Sequence, residues 1–233
     1  MYPIKLKVHD RNVNIVRINY DGDLIFSGGP GDPQNPSINV FESFTGERMG
    51  SYVTRAAIKS LDVDMESKYL ICVSFDGTIE MFNVLNGQSI FWTNFSQCKG
   101  YHVEFALGSK KFLFLHDFQA NSTVKIIDFP KFVAMKPDSE LEIKSDKIAI
   151  INEFPVYYTQ GVKCLSEKAI WYADNESIFL GTNKGEVVHF SQTGEQIKKA
   201  VVHPDGKIKA LSFSPDFSIL ATAGSDGCKI VDP

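Results

Sequence analysis

One three-strand phrase recurs along this 233-residue chain, and it limits the possible folds more than any other feature. In its last copy, IKALSFS (208–214) is dense in strand formers, and Pro215-Asp216 then interrupts it, because proline has no amide hydrogen to give a ladder. SILATAG (218–224) follows, and Ser225-Asp226-Gly227 leads into CKIVD (228–232). An Asp-Gly pair between apolar runs is a strong hairpin signal, so the stretch reads as a three-stranded meander. Four earlier segments repeat it: VNIVRINYDG, DLIFSGG and SINVFES within 13–43; IKSLDVDMES, KYLICVS and TIEMFNV within 58–84; YHVEFALGS, KKFLFLHD and TVKIIDF within 101–129; KAIWYADNE, SIFLGT and EVVHFS within 168–191. Aligning the third strands places Phe41, Phe82, Ile127, Phe190 and Val231 at one equivalent position, with separations of 41, 45, 63 and 41. A period near 40–45 residues with four short strands per unit is the mark of a propeller.

The expected architecture is therefore an all-β propeller of four-stranded antiparallel blades, with residues 1–233 a single domain. Blades are placed near 9–53, 54–97, 98–160, 161–202 and 203–233, with residues 4–8 (IKLKV) a closing outer strand. FTG (44–46), LNG (85–87) and QTG (192–194) are glycine turns, each leading to a fourth strand. The 63-residue gap holds an insertion, 136–160, expected to mix the third copy's outer strand with a long exposed loop. No segment has a convincing amphipathic helical period.

At 43% hydrophobic and 22% charged, the chain can bury a core of its own. A net charge of −4 and only two adjacent lysine pairs, Lys110-Lys111 and Lys198-Lys199, leave no basic stripe for direct nucleic-acid binding. Lys5 and Lys7 interrupt the first ten residues where a secretory signal would need an apolar core, and no apolar run is long enough to span a bilayer. A cytoplasmic location is expected. Cys72, Cys98, Cys164 and Cys228 lie too far apart for a zinc knuckle and read as reduced packing residues.

Other candidate sites resolve toward structure. SGGPGDPQNP (27–36) lacks the Lys-Ser/Thr ending of a phosphate loop, and Pro30, Pro33 and Pro36 offer no amide hydrogens, so it reads as a hairpin loop. His116-Asp117 has no partner at metal or acid–base spacing and reads as the end of a hairpin strand. His189 is expected to be a hydrogen-bonded side chain. Phe91-Trp92 either anchors an interface or packs beneath the insertion. No Ser, Cys or Thr sits in a nucleophile setting, so neither catalysis nor a cofactor, metal or small-molecule substrate is expected.

These repeats resemble the WD-repeat family, whose blades end the third strand with Trp-Asp and carry Gly-His before the first. Here the Trp-Asp slots read Phe41-Glu42, Phe82-Asn83, Ile127-Asp128, Phe190-Ser191 and Val231-Asp232, while Val8-His9, Thr54-Arg55 and Val202-His203 stand for Gly-His. The family's His/Ser/Asp/Trp hydrogen-bond tetrad is accordingly expected to be incomplete in every blade. Within that group, MYPIKLKVHD, DGDLIFS (21–27), GERMGSYV (46–53) and HPDGKIKALSFSPDFSILATAGSDGCKIVD (203–232) are similar to the subunit i family of eukaryotic translation initiation factor 3. The resemblance implies seven blades, two more than are visible, unless residues 4–8 close a ring of five. It also implies a non-catalytic scaffold that clasps a helix from the C-terminal region of subunit b, contacts subunit g, and meets the 40S ribosomal subunit through the complex. The b-binding positions it implies are Asp216, Ile230 and Asp232. Blade geometry agrees, since first and third strands run the same way and both aspartates leave on one rim, with Ile230 two residues from Asp232 on the same side of its strand. The ordinary reading of Asp216 is a turn-capping carboxylate, and Asp226 reads the same way. The alternatives are a WD-repeat adaptor of another assembly and a propeller enzyme.

Overall fold

The computed structural model describes residue 9 and residues 12–31, 37–118, 121–135, 141–156 and 164–233. Residues 4–8, and parts of the proline-rich loop and of the insertion, lie outside the described residues. Each repeat forms an antiparallel sheet in which consecutive strands are neighbours. The first sheet holds β1 (Ile15–Ile18), β2 (Leu24–Gly28), β3 (Ile38–Glu42) and β4 (Arg48–Tyr52). The second holds β5 (Ile58–Val63), β6 (Tyr69–Ser74), β7 (Thr78–Asn83) and β8 (Ser89–Asn94). The third holds β9 (Cys98–Phe105), β10 (Lys111–Phe118), β11 (Asn121–Asp128) and β12 (Ile150–Pro155). The fourth holds β13 (Ser166–Trp171), β14 (Ser177–Thr182), β15 (Glu186–Ser191) and β16 (Gln196–Val201). The fifth has three strands among the described residues, β17 (Ile208–Phe213), β18 (Leu220–Gly224) and β19 (Gly227–Val231).

Burial follows position in the sheet. The second strands are near-continuous apolar runs, YLICVS in β6 and SIFLGT in β14, because both of their faces are covered. The outer strands β4 and β16 are exposed almost throughout and carry the polar residues. The third-to-fourth turns are held by glycines at positive φ, Gly46 at 74° and Gly87 at 69°, a conformation a Cβ would strain.

The chain divides into two compact units, Met1–Val103 with Ala134–Ile148, and Glu104–Val133 with Ala149–Pro233. In the first unit, Phe26, Ile38, Leu61, Leu70 and Phe82 share one buried cluster across the first two sheets. In the second, Phe179, Val187, Ile208, Leu211 and Leu220 do the same across the fourth and fifth. Gly181 on β14 lies so close to Ile208 that an added Cβ would overlap its side chain. The third repeat's outer strand does come from the insertion: β12 pairs with β11 after a one-turn helix, α1 (Phe129–Val133), and a 3-10 turn at Ser145–Lys147. Phe132 of that helix is fully buried, edge-on to Phe112 at 5.1 Å.

The insertion also settles the Phe91-Trp92 alternative. Glu142 bridges to Trp92, and the Ile143 amide donates to the Trp92 carbonyl at 2.8 Å, with Phe91 fully buried, so the pair packs beneath the insertion. His116 and Asp117 pair with Thr123 and Ser122 in the β10–β11 hairpin, as expected. Two expectations need correction. Cys72, Cys98 and Cys164 are buried, but Cys228 is exposed, because on β19 no neighbouring strand among the described residues covers it. His189 is not hydrogen-bonded through Nε2; its ring stacks on Phe179 at 4.1 Å, the stack supplying the contact that a polar partner was expected to supply.

Candidate partner-binding surface

The fifth sheet positions all three candidate residues through its register. Leu220 opposes Phe213 on one side and Val231 on the other, so β17 and β19 run the same way and finish at the same end of the sheet. Asp216 lies in the turn after β17, and Asp232 lies one residue beyond β19. Ile230 is 76% exposed, on the same face of the edge strand β19 as Cys228, which no neighbouring strand among the described residues covers.

The turn around Asp216 is built by its carboxylate. Oδ1 accepts from the Ser214 hydroxyl at 2.6 Å, the Ser218 amide at 3.2 Å and the Ser218 hydroxyl at 2.9 Å. Those donors hold its pKa down to about 2. Phe217 takes a positive φ of 59° and packs on Phe213 and Tyr172, at ring separations of 5.4 and 5.9 Å. Tyr172 and Phe213 in turn meet Phe179 of the fourth sheet, so the turn rests on an aromatic floor. The turn-capping reading of Asp216 is thus observed; its charge is fixed in place and faces solvent.

Asp232 has a different setting. It lines a small groove between the fourth and fifth sheets whose floor is Phe179, Val187 and Leu220, with His189 and Lys198 on the wall. His189 is half-buried, and burial lowers its pKa against the opposing pull of Asp174. The three residues therefore combine an exposed apolar side chain with two carboxylates at one sheet end, which suits an apolar anchor flanked by cations.

At the other end, Asp226 is more than a turn residue. His203, which has no exposed surface, stands in the Gly-His slot and bonds Asp226 through Nδ1 and Thr222 Oγ1 through Nε2 at 2.8 Å. Three parts of the tetrad are thus present without the tryptophan. The sequence reading missed this network, although His203, Thr222 and Asp226 were each visible at their family positions. Among the described residues no group of three or more His, Cys, Asp or Glu side chains is placed to hold a metal ion, and no helix is long and apolar enough to cross a membrane.

Comparison with known proteins narrows the reading. Residues 194–228 match the family described as WD domain, G-beta repeat. The chain is similar over 97% of its length to proteins named eukaryotic translation initiation factor 3 subunit I, at 26% identity for Xenopus laevis, 28% for Schizosaccharomyces pombe and 29% for Aspergillus oryzae. It spans 64%, 65% and 63% of those relatives. Among solved structures, the beta-propeller domain of Cps50 (Swd1) from Myceliophteria thermophila superposes with a TM-score of 0.70 at 16% identity, covering 92% of this chain and 63% of that one. The fold is a WD-repeat β-propeller, with five blades present among the described residues.

Proposed function

We propose that this chain acts as a non-catalytic scaffold subunit of eukaryotic translation initiation factor 3 in the cytoplasm, holding the C-terminal region of subunit b and contacting subunit g to support 43S preinitiation complex assembly and scanning. Similarity to subunit I proteins along 97% of the chain is the observation that carries this reading. Asp216 and Asp232 at one end of the fifth sheet, with Ile230 two residues before Asp232, support a b-binding site there.

The test is capture of the recombinant C-terminal region of subunit b by wild type, Asp216→Asn, Ile230→Asp and Asp232→Lys. Asparagine at 216 keeps an acceptor for Ser214 and Ser218, so the turn survives while the charge goes. Loss of a desolvated charged contact costs about 2–5 kcal/mol, which capture registers readily. Unchanged capture by all three variants removes the site assignment. Failure of the wild type to capture subunit b removes the subunit reading in favour of an adaptor of another assembly.

A further inference from the structure

We propose that the first unit carries a separate docking surface, a groove between β4 and the β7–β8 turn that takes the apolar face of a basic amphipathic helix from a partner protein. The groove has a volume of about 370 Å³ and is walled by Leu24, Val40, Met49, Tyr52, Val84 and Leu85. Leu85 is 96% exposed, Met49 61%, and Phe44 in the neighbouring turn 79%.

Nothing in the two turns requires those side chains. The 84–88 turn is held by Asn83 Oδ1 accepting from the Asn86 amide and by Gly87, and the 43–47 turn by the Glu42 carboxylate accepting from the Phe44 and Thr45 amides and the Thr45 hydroxyl. Phe44 and Leu85 open equivalent glycine turns, FTG and LNG, where the fourth repeat has Gln192 in QTG. Apolar tips at this place are a property of the first two repeats. The floor beneath them is rigid: the Tyr52 hydroxyl donates to the Val84 carbonyl at 2.9 Å, and its ring packs edge-on to Phe82 at 5.4 Å. At Gly50 a Cβ would meet nothing within 4 Å, so the β4 backbone is open to close approach.

Charge selects the occupant. Asn19 Nδ2 donates to Ser67 Oγ at 3.0 Å, joining the first turns of the two sheets at one end. The four turns there, 19–23, 42–48, 64–68 and 84–88, hold six carboxylates, of which Asp64 is buried and the other five line the surface, against two cations, Arg48 and Lys68. Arg48 is engaged with Asn39 and Lys68 with Glu66. A second copy of this chain, docked about a two-fold axis, would bring that acidic surface against itself. A helix with Lys or Arg beside a Leu, Met or Phe ridge meets both demands. The inference does not depend on the initiation-factor reading.

The probe is a synthetic helix of about 18 residues, five turns, with a Leu/Met ridge flanked by lysines, and a twin with glutamates in place of the lysines. Anisotropy titrations against the full chain are expected to show saturable binding of the lysine helix alone. Leu85→Asp and Met49→Asp should each weaken it about tenfold or more although both add negative charge, and Glu47→Lys should weaken it less. Both side chains are exposed, and an unchanged thermal melt verifies folding. Equal binding of the glutamate twin, or undiminished binding by the Asp variants, overturns the proposal. So does a dimer in light scattering that Leu85→Asp dissolves, which would assign the groove to self-association.

Discussion

In the fifth sheet the segment before the first strand is tied down by an imidazole, whereas in the second sheet a guanidinium takes that place. His203 is fully buried between Asp226 and Thr222, and Lys229, opposite Thr222 in the register, reaches Asp226 Oδ2 at 2.9 Å and the Val202 carbonyl at 2.7 Å. In the second sheet the position equivalent to Lys229 is Glu80, opposite Cys72, and the loop supplies Arg55. The Arg55 guanidinium stacks 4.5 Å above Trp92 and stands 4.0 Å from Glu80, which also accepts from the Ser89 hydroxyl at 2.8 Å. The register position tolerates either sign of charge when the loop or turn supplies the opposite one. That compensation lets these two sheets keep an anchor although the letters at the position differ. The two anchors differ in strength, because His203 is sealed from water and the Arg55 side chain is 44% exposed.

The largest expected effect follows from that difference. His203→Ala leaves the Thr222 hydroxyl only its long bond to the Lys229 carbonyl at 3.4 Å and leaves Asp226 with Lys229 alone, so chemical denaturation should show a loss of about 3 kcal/mol. A loss under about 1 kcal/mol would mean that burial does not distinguish the anchors.

A buried imidazole without partners sharpens the point. His116 on β10 is 4% exposed, its two ring nitrogens have no hydrogen-bond partner, and it stacks on Phe114 at 4.9 Å. Burial, then Lys125, pushes its pKa down to about 4, against weaker opposing pulls from the nearby Asp117 backbone and then from the Glu153 and Asp117 carboxylates. The folded state prefers the neutral ring, so the stability is whole above 6.5 and drains away as pH falls toward 4. The full loss is on the order of 3 kcal/mol. His116→Phe should remove that pH dependence, read from denaturation midpoints between these values.

The strands, their order and the Gly turns were legible because each depends on neighbours in sequence: Asp-Gly and Pro-Asp turns, and runs of β-branched and aromatic residues between them. The end of the sheet on which Asp216 and Asp232 emerge followed from strand direction alone. What could not be read was which side chains the packing would use. Asp226 looked like any hairpin aspartate until His203, 23 residues away in the chain, closed over it. Glu80 carried no sign that a loop cation would meet it, and His189 lost its expected hydrogen bond to the Phe179 stack. Leu85 and Phe44 were visible in LNG and FTG, but an apolar letter in a turn reveals its exposure only when the neighbouring sheet is known to leave it uncovered.

Arg55→Ala tests the weaker anchor. It removes the stack on Trp92 and a long, half-exposed ion pair, so a cost of about 1 kcal/mol is expected in the same denaturation assay. A cost equal to that of His203→Ala would erase the distinction between the two sheets.

The smallest effect should come from Glu80→Gln, and its interest lies in the sign. Burial raises the Glu80 pKa above its ordinary 4.5, outweighing the lowering by Ser89 and Arg55. A carboxyl whose folded pKa is raised binds its proton more tightly in the native state, so its contribution is most favourable in acid and declines as pH rises through 4.5 and the folded value. Glutamine keeps one oxygen to accept from the Arg55 amide, its NH2 faces the Ser89 hydroxyl oxygen, which can accept, and it has no charge to desolvate. At neutral pH the substitution should therefore be neutral or stabilising, within about 1 kcal/mol. In acid, where the wild-type carboxyl is protonated, the variant should lose that advantage. A substitution that is clearly destabilising at neutral pH would show that the Arg55 attraction exceeds the cost of burial, and the second sheet's anchor would then be an ion pair in earnest, closer in kind to that of the fifth.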